Sequence, residues 1–332
     1  MNHTITVHEA DQRLDRFCRK YFKNHSEIKL GDIYSWIRKG AIKVNGRKRP
    51  EKYRLNEWDQ VTWNDEAQTQ RVATDFTATK EQKLASYALS RIEQYILYQD
   101  ENRLVFNKPA WVVVHPWNKH DNDITMHDML QIWHKHNSSQ DKQDSPTFKP
   151  AFCYRLDKDT SGIHIAWITY QAVQHLNDLI KTRQVDKTYT TVLIWSLTKT
   201  KEATFPLEVW FDKKFGKSKS FHSPREGKES YSLFEPIMTK NLPWVWPCTL
   251  TRVTIKTWRM HQIRVHWALI WHPVLGDLMY WSPAVNRIAT KSLAITRQLL
   301  HSTVYAFQDI DWTRRKFTAP LPEQFTTLFP SS

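Results

Sequence analysis

Arg155-Leu156-Asp157-Lys158-Asp159-Thr160-Ser161-Gly162 sets a carboxylate between an apolar, strand-like approach and a tight polar turn, with a helix expected after it. An acid held at such a turn is a candidate catalyst, able to attack an electrophilic carbon or to move a proton. The plainer alternative is a helix cap, in which Asp159, Thr160 or Ser161 accepts from free amides at a helix start. Two further segments bear on that choice. Lys187-Thr188-Tyr189 follows the helical spacing of Val173, Leu176, Leu179 and Ile180, and opens an apolar stretch from Thr190 to Trp195. His261-Gln262-Ile263-Arg264-Val265-His266 precedes Trp271-His272-Pro273 and Gly276-Asp277. His261 and His266 invite reading as metal ligands, but no third ligand stands at a suitable spacing, so no metal is expected. Taken singly, Tyr189 reads equally well as a core tyrosine on a strand. Arg264 alone reads as a surface or phosphate-contacting residue.

The elements that must position these groups fall into three stretches. Over 1–66, Leu14, Phe17, Cys18 and Tyr21 keep helical spacing, and Ile33, Trp36 and Ile37 repeat it before Gly40 ends the second helix as a left-handed cap. Ala41 to Val44, the turn Asn45-Gly46, and the chain from Tyr53 onward predict a small hairpin or sheet. Between Arg38 and Arg54 stand Arg38, Lys39, Lys43, Arg47, Lys48, Arg49, Lys52 and Arg54 against one acid, Glu51. Such a run is either a solvated face or a phosphate-binding one. Residues 67–92 read as a polar linker, with one short helix near Lys83 to Ser90. From 93 to 330 strand-like runs outnumber helices: Tyr95 to Tyr98, Leu104 to Phe106, Trp111 to Val114, Ile163 to Ile168, Tyr189 to Ile194 and Val253 to Thr257. That pattern predicts an α+β fold on a mainly antiparallel sheet with helices packed outside.

Composition narrows the class of partner. With 48 Lys and Arg against 34 Asp and Glu, the net charge of +14 draws a polyanion by long-range attraction and counterion release. A membrane surface is the rival polyanion, yet no apolar run approaches the ~20 residues that span a bilayer, and Met1 to Ala10 lacks a signal-peptide core. Cys18, Cys153 and Cys248 form neither a disulfide framework nor a zinc pattern. The expectation is a soluble, cytoplasmic protein with room for one large core and an accessory domain.

Together with Lys108-Pro109-Ala110 and Val112-Val113-Val114-His115-Pro116, the three segments resemble, in order and spacing, the RluA-type RNA pseudouridine synthases from about Tyr98 to Leu328. Any one motif is weak; four in the right order are specific. The two short helices followed by Lys43-Val44-Asn45-Gly46 and a basic hairpin resemble an S4-like RNA-binding domain. The resemblance implies a mixed, mainly antiparallel catalytic sheet behind a small S4-like α/β module, in the arrangement of RluC-like bacterial enzymes that act on large-subunit ribosomal RNA. It implies isomerisation of uridine in structured RNA by a monomer without metal or organic cofactor, and with no DNA or membrane partner. Asp157 then matches the catalytic acid, Arg264 the arginine that pairs with it, and Tyr189 a tyrosine whose ring can stack on a flipped uracil. Arg155, Lys108, Lys187 and His115 are candidates to line the pocket or the RNA path. Arg38, Lys39, Lys43, Arg47, Lys48 and Arg49 are candidates to meet phosphates. His261, His266 and His272 are read as structural or RNA-contacting.

The chain departs from the family in two respects. Tyr154 stands where histidine usually precedes Arg155, and tryptophan stands at Trp111, Trp117, Trp258 and Trp271 where the family has glycine. The whole chain holds 7 Gly and 16 Trp. A catalytically silent RNA-binding protein, or a redesigned chain that kept the scaffold, therefore stays open beside the enzyme. A glycosidase-like hydrolase lacks a second carboxylate marked by any motif.

Overall fold

Alternation of apolar and polar residues, interrupted by turn chemistry, builds the first unit. The computed structural model describes residues 2–24, 30–63, 89–116, 123–137, 148–212, 217–243 and 246–330. Strand β1 (Asn2–Thr4), helices α1 (Leu14–Tyr21) and α2 (Leu30–Lys39), and strands β2 (Ile42–Val44) and β3 (Gln60–Trp63) enclose a core of Leu14, Phe17, Cys18, Ile33, Ile37 and Val61. The sheet order is β1-β3-β2, both pairings antiparallel. Gly40 has φ 75 as the cap of α2, and Asn45 and Gly46 follow β2 at φ 52 and 72, the conformations a tight turn of this kind requires. The small sheet expected from Ala41 to Val44 and the chain beyond Tyr53 forms, with β3 as the partner of β2 and the strand starting only at Gln60. The reason is Asp59, whose carboxylate accepts from Asn45 Nδ2 at 2.7 Å, the Asn56 amide at 2.8 Å and the Tyr53 hydroxyl at 3.2 Å, folding Arg47 to Asp59 into turns. Most of the linker expected over 67–92, with its helix near Lys83 to Ser90, lies outside the described residues; α3 (Ser90–Glu93) is one turn at its end.

The second unit is a ten-stranded sheet. Its members are β4 (Ile96–Gln99), β5 (Arg103–Lys108), β6 (Ala151–Phe152), β7 (Ser161–Trp167), β8 (Asp186–Ile194), β9 (Lys201–Ala203), β12 (Ser232–Asn241), β13 (Pro247–Ile255), β14 (Leu300–Gln308) and β15 (Arg314–Thr318). They lie in the order β4-β5-β7-β14-β8-β13-β12-β9, with β15 beside β14 and β6 beside β7. Among the described residues, only the β7–β14 pairing is parallel. A separate antiparallel hairpin joins β10 (Leu207–Asp212) to β11 (Lys217–His222). The helices are α4 (Met126–Asn137), α5 (Tyr170–Lys181), α6 (Gln262–Leu269), α7 (Pro283–Leu293) and α8 (Glu323–Leu328). The periodic run from Val173 to Ile180 is α5, capped by Thr169, whose hydroxyl accepts from the Ala172 amide at 3.3 Å. Its Leu176 and Leu179 pack with Ile163, Ile165, Trp167, Tyr305 and Phe307 into the principal core.

Two local expectations are corrected. No helix follows the acid-bearing turn: Ser161 starts β7, whose seven residues are all buried, so the cap reading of Asp159, Thr160 and Ser161 fails. Gly162 explains the tight passage, because at φ 105 a Cβ there would stand 2.2 Å from the Ser302 carbonyl oxygen of β14. Trp111 to Val114 is a turn and loop, not a strand, because Trp111 has φ 62 and breaks the extension.

Among the described residues, five tryptophans share this left-handed backbone: Trp58, Trp111, Trp195, Trp271 and Trp312, at φ 70, 62, 78, 62 and 62. Trp258 is not among them, and Trp117 lies outside the described residues. A side chain in this region costs about 1–2 kcal/mol through its Cβ. Trp271 and Trp312 are 74% and 82% exposed, so little burial offsets that cost. Trp271→Gly and Trp312→Gly should each stabilise the fold by roughly 1 kcal/mol after glycine's own chain-entropy cost, read as a higher thermal midpoint. An unchanged or lower midpoint would mean that the rings make compensating contacts.

Candidate active site

Asp157 leaves the sheet on the short passage between β6 and β7, and that passage is held at several points. The Thr160 amide donates to the Asp157 carbonyl at 3.1 Å. Buried Lys108, at the end of β5, donates from Nζ to the carbonyls of Lys158 at 2.9 Å and Pro109 at 2.8 Å. Arg297 Nη1 donates to the Asp159 carbonyl at 3.2 Å. Lys108 therefore sits behind the turn and is not part of the cleft lining; burial, against the attraction of Asp159 and Asp157, pushes its ammonium down to about 7.

Arg264 reaches the acid from α6. Its Nη1 donates to Asp157 Oδ2 at 2.9 Å, while Nε and Nη2 grip Asp277 through both carboxylate oxygens at 2.6 and 2.9 Å. Asp277 also accepts from the amides of Met279 and Tyr280. Its full set of partners makes it the fixed end of the chain Asp277–Arg264–Asp157. Burial alone would lower the guanidinium; the bond to Asp277 and the two carboxylate charges outweigh it and keep Arg264 charged. Burial alone would raise Asp157. The charges of His261 and Arg264, the Arg264 hydrogen bond and Lys108 outweigh it and hold the acid below the ordinary carboxylate range. His261 is itself lowered by burial, so at neutral pH the guanidinium is the standing positive charge.

Tyr189 enters from the centre of the sheet on β8, paired across to Val253 of β13 and Ser302 of β14. It lines the same cleft as Asp157 and Arg264, together with Ile255, Leu300, Arg155, Trp258, Arg259 and His261. Burial first, then the charge of Asp157, pushes its phenol well above the ordinary tyrosine range despite a bond to Ser302. Such a phenol keeps its proton, which suits it to packing against a flat ring and not to removing a proton. Trp258 narrows the opening, its ring 4.3 Å from that of Tyr154 and covered at 4.3 Å by the Lys187 ammonium. Lys187 is buried beneath it, lowered by burial to about 8, and is not part of the lining.

The histidines divide. His261, at φ 54, has Nε2 3.8 Å from Asp157 Oδ1 and Nδ1 2.8 Å from the Tyr280 hydroxyl. The Ser220 amide of β11 donates to that hydroxyl at 2.9 Å, so the hairpin steadies this side of the cleft. His266 is fully buried and joined to the hydroxyls of Ser230 and Ser232, a structural role. His272 packs its ring against Trp267. His115 is half-buried beside His127 and outside the lining. Arg155 is exposed at the cleft mouth. Arg38, Lys39, Lys43, Arg47 and Lys48 are exposed on the first unit, with Arg49 half-buried over the Tyr53 ring at 4.8 Å.

Asp277, Tyr280 and Gln262 were not singled out by residue type. Gln262 ties the start of α6 to β12 by donating to the Tyr231 carbonyl and Ser232 hydroxyl, both at 2.9 Å. The signal for Asp277 lay in the Gly276-Asp277 pair, where Gly276 at φ 83 turns the chain tightly against Arg297. Among the described residues, no group of His, Cys, Asp or Glu is placed to hold a metal ion, and no helix is long and apolar enough to cross a membrane.

Known proteins resemble this chain in sequence and in fold. The family model for RNA pseudouridylate synthase matches residues 102–269, which include Asp157, Tyr189 and Arg264. Ribosomal large subunit pseudouridine synthase D of Pseudomonas aeruginosa is 27% identical over 327 residues, 96% of this chain and 91% of that protein. The uncharacterized RNA pseudouridine synthase YlyB of Bacillus subtilis is 26% identical over 98% of this chain and 95% of its own. In structure, human RNA pseudouridylate synthase domain containing 4 superposes at a TM-score of 0.56 with 21% identity, over 72% of this chain and 92% of that one, a likeness of fold. The motif order, the fold and the match across half the chain agree: this chain belongs to the RNA pseudouridylate synthase family and is an RNA pseudouridine synthase, an isomerase.

Proposed function

We propose that the substrate is uridine in large-subunit ribosomal RNA and that Asp157, Arg264 and Tyr189 carry the reaction. The observation that carries the reading is the Arg264–Asp157 bond at 2.9 Å, in a cleft that also presents Tyr189. In the isomerisation the N1–C1′ bond breaks, the uracil turns over, C5 bonds to C1′, a proton leaves C5 and N1 takes one up. Asp157, kept ionised, is the group for the sugar or base during cleavage. Arg264 holds it in place and charged. The Tyr189 ring stacks on the uracil, offsetting part of the few kcal/mol that flipping a base costs. Arg155, exposed at the mouth, meets the RNA backbone. The ribosomal substrate rests on the names of the relatives, several of which are large-subunit enzymes.

The first unit, with its two helices, three-stranded sheet and exposed Arg38, Lys39, Lys43, Arg47 and Lys48, is proposed as an S4-like module that docks on structured RNA through phosphates. It adds affinity and orientation, and leaves the choice of uridine to the cleft and the RNA shape.

Two outcomes follow. Asp157→Asn should abolish pseudouridine formation in single-turnover assays on ribosomal RNA fragments, while affinity falls less than tenfold, about 1.4 kcal/mol; retained turnover would remove Asp157 from the chemistry. Replacing Lys43 and Arg47 by Gln should lower the slope of log affinity against log salt by about 0.7–0.9 for each phosphate that is no longer neutralised. An unchanged slope would assign the electrostatic attraction to the catalytic unit.

A further inference from the structure

The five tryptophans with positive φ sit in different parts of the fold but in one kind of place. Trp58 is the third residue of the turn Asn56–Asp59, closed by the Asp59 amide on the Asn56 carbonyl at 3.1 Å. Because Glu57 keeps a negative φ, this is the turn type whose third position takes glycine. Trp271 follows α6. The His272 amide donates to the Trp267 carbonyl at 3.0 Å and the Trp271 amide to the Ala268 carbonyl at 3.4 Å, the paired bonds of a helix stop built around a left-handed residue. The same pair closes α2, from Ala41 to Trp36 at 2.9 Å and from Gly40 to Ile37 at 3.2 Å, and there the left-handed residue is Gly40. Trp312 closes the β14–β15 turn, Trp111 the turn after β5, and Trp195 the exit from β8.

Four of the five, Trp58, Trp111, Trp271 and Trp312, are 75%, 56%, 74% and 82% exposed, and Trp195 is half-buried, whereas Trp63, Trp133, Trp167 and Trp267 are buried on regular elements; Trp210 and Trp246 are exposed without the left-handed backbone. A shared RNA-stacking face does not explain the pattern, because the five lie on separate turns of both units, and what they have in common is the backbone. Left-handed positions admit Asn, Asp and Gly readily, and a bulky ring is an outlier in each. Composition points in the same direction: the chain holds 7 Gly in 332 residues, well below the about 7% that glycine ordinarily takes.

Glycine and tryptophan triplets differ in the first base alone, GGG against UGG and GGA against UGA, the last a codon that some genetic codes read as tryptophan. Five separate mutations, each landing on a left-handed position, require five coincidences. One triplet with two readings requires none. We infer that Trp58, Trp111, Trp195, Trp271 and Trp312 are glycine positions, and that the triplet written there as tryptophan is decoded as glycine in the cells that make this protein. Each of these turns then takes the residue its backbone favours, including the helix stop that follows the segment bearing Arg264.

The test is tandem mass spectrometry of peptides from the protein isolated from its own cells, with the gene's codons at the five positions read alongside. The expected result is glycine in all five peptides and one shared triplet at the five positions. Tryptophan at any of them overturns the single-triplet reading. The measurement reads residue identity and is independent of which RNA the enzyme modifies.

Discussion

Arg264 is a buried guanidinium shared by two carboxylates, and the geometry of the cleft depends on it. Two of its nitrogens are committed to Asp277, which leaves Nη1 aimed at Asp157. A charge taken out of water costs several kcal/mol unless partners surround it, and removing one partner from such a group costs about 3–5 kcal/mol. The surrounding structure supplies those partners. Gln262 pins the start of α6, the turn at Gly276 delivers Asp277, and Lys108 and Arg297 hold the passage that carries Asp157. The sheet then brings Tyr189 to the same cleft from a strand more than thirty positions along the chain.

Tyr189 and Asp157 affect each other in opposite senses. Burial and the nearby carboxylate keep the phenol protonated, while the guanidinium keeps the carboxylate ionised. A neutral ring beside a fixed anion suits a reaction in which a base must be held flat while the sugar carbon is exposed. His261, buried and lowered, adds a neutral donor or acceptor at the wall and is itself fixed by Tyr280.

Much of this was legible in the chain. Helical spacing located α1, α2 and α5, and the apolar runs at Leu104, Ile163 and Tyr189 lie on β5, β7 and β8. Asp157, Tyr189 and Arg264 meet as the motif order implied. The failures have physical causes. The strand after the acid-bearing turn was hidden because Asp159, Thr160 and Ser161 are also cap residues, and the pairings to β5 and β14, distant in the chain, decide between the two. Lys108 and Lys187 looked like substrate contacts by charge, yet one is spent on backbone carbonyls and the other lies under Trp258. Asp277 was visible as a motif without a role, because its role exists only once α6 turns Arg264 toward it. Trp258 and Trp271 look alike as replacements for glycine, but only Trp271 has the left-handed backbone.

The most direct measurement of whether Arg264 keeps Asp157 ionised is the pH dependence of single-turnover pseudouridine formation by Arg264→Gln beside the unaltered enzyme. Without the guanidinium, burial is the largest influence left on Asp157 and raises it, so more of the acid is protonated at a given pH. The acid limb of the variant should move to higher pH, with part of the lost rate recovered as pH rises. An acid limb unmoved from that of the unaltered enzyme, with the rate reduced equally at every pH, would contradict the role given to Arg264.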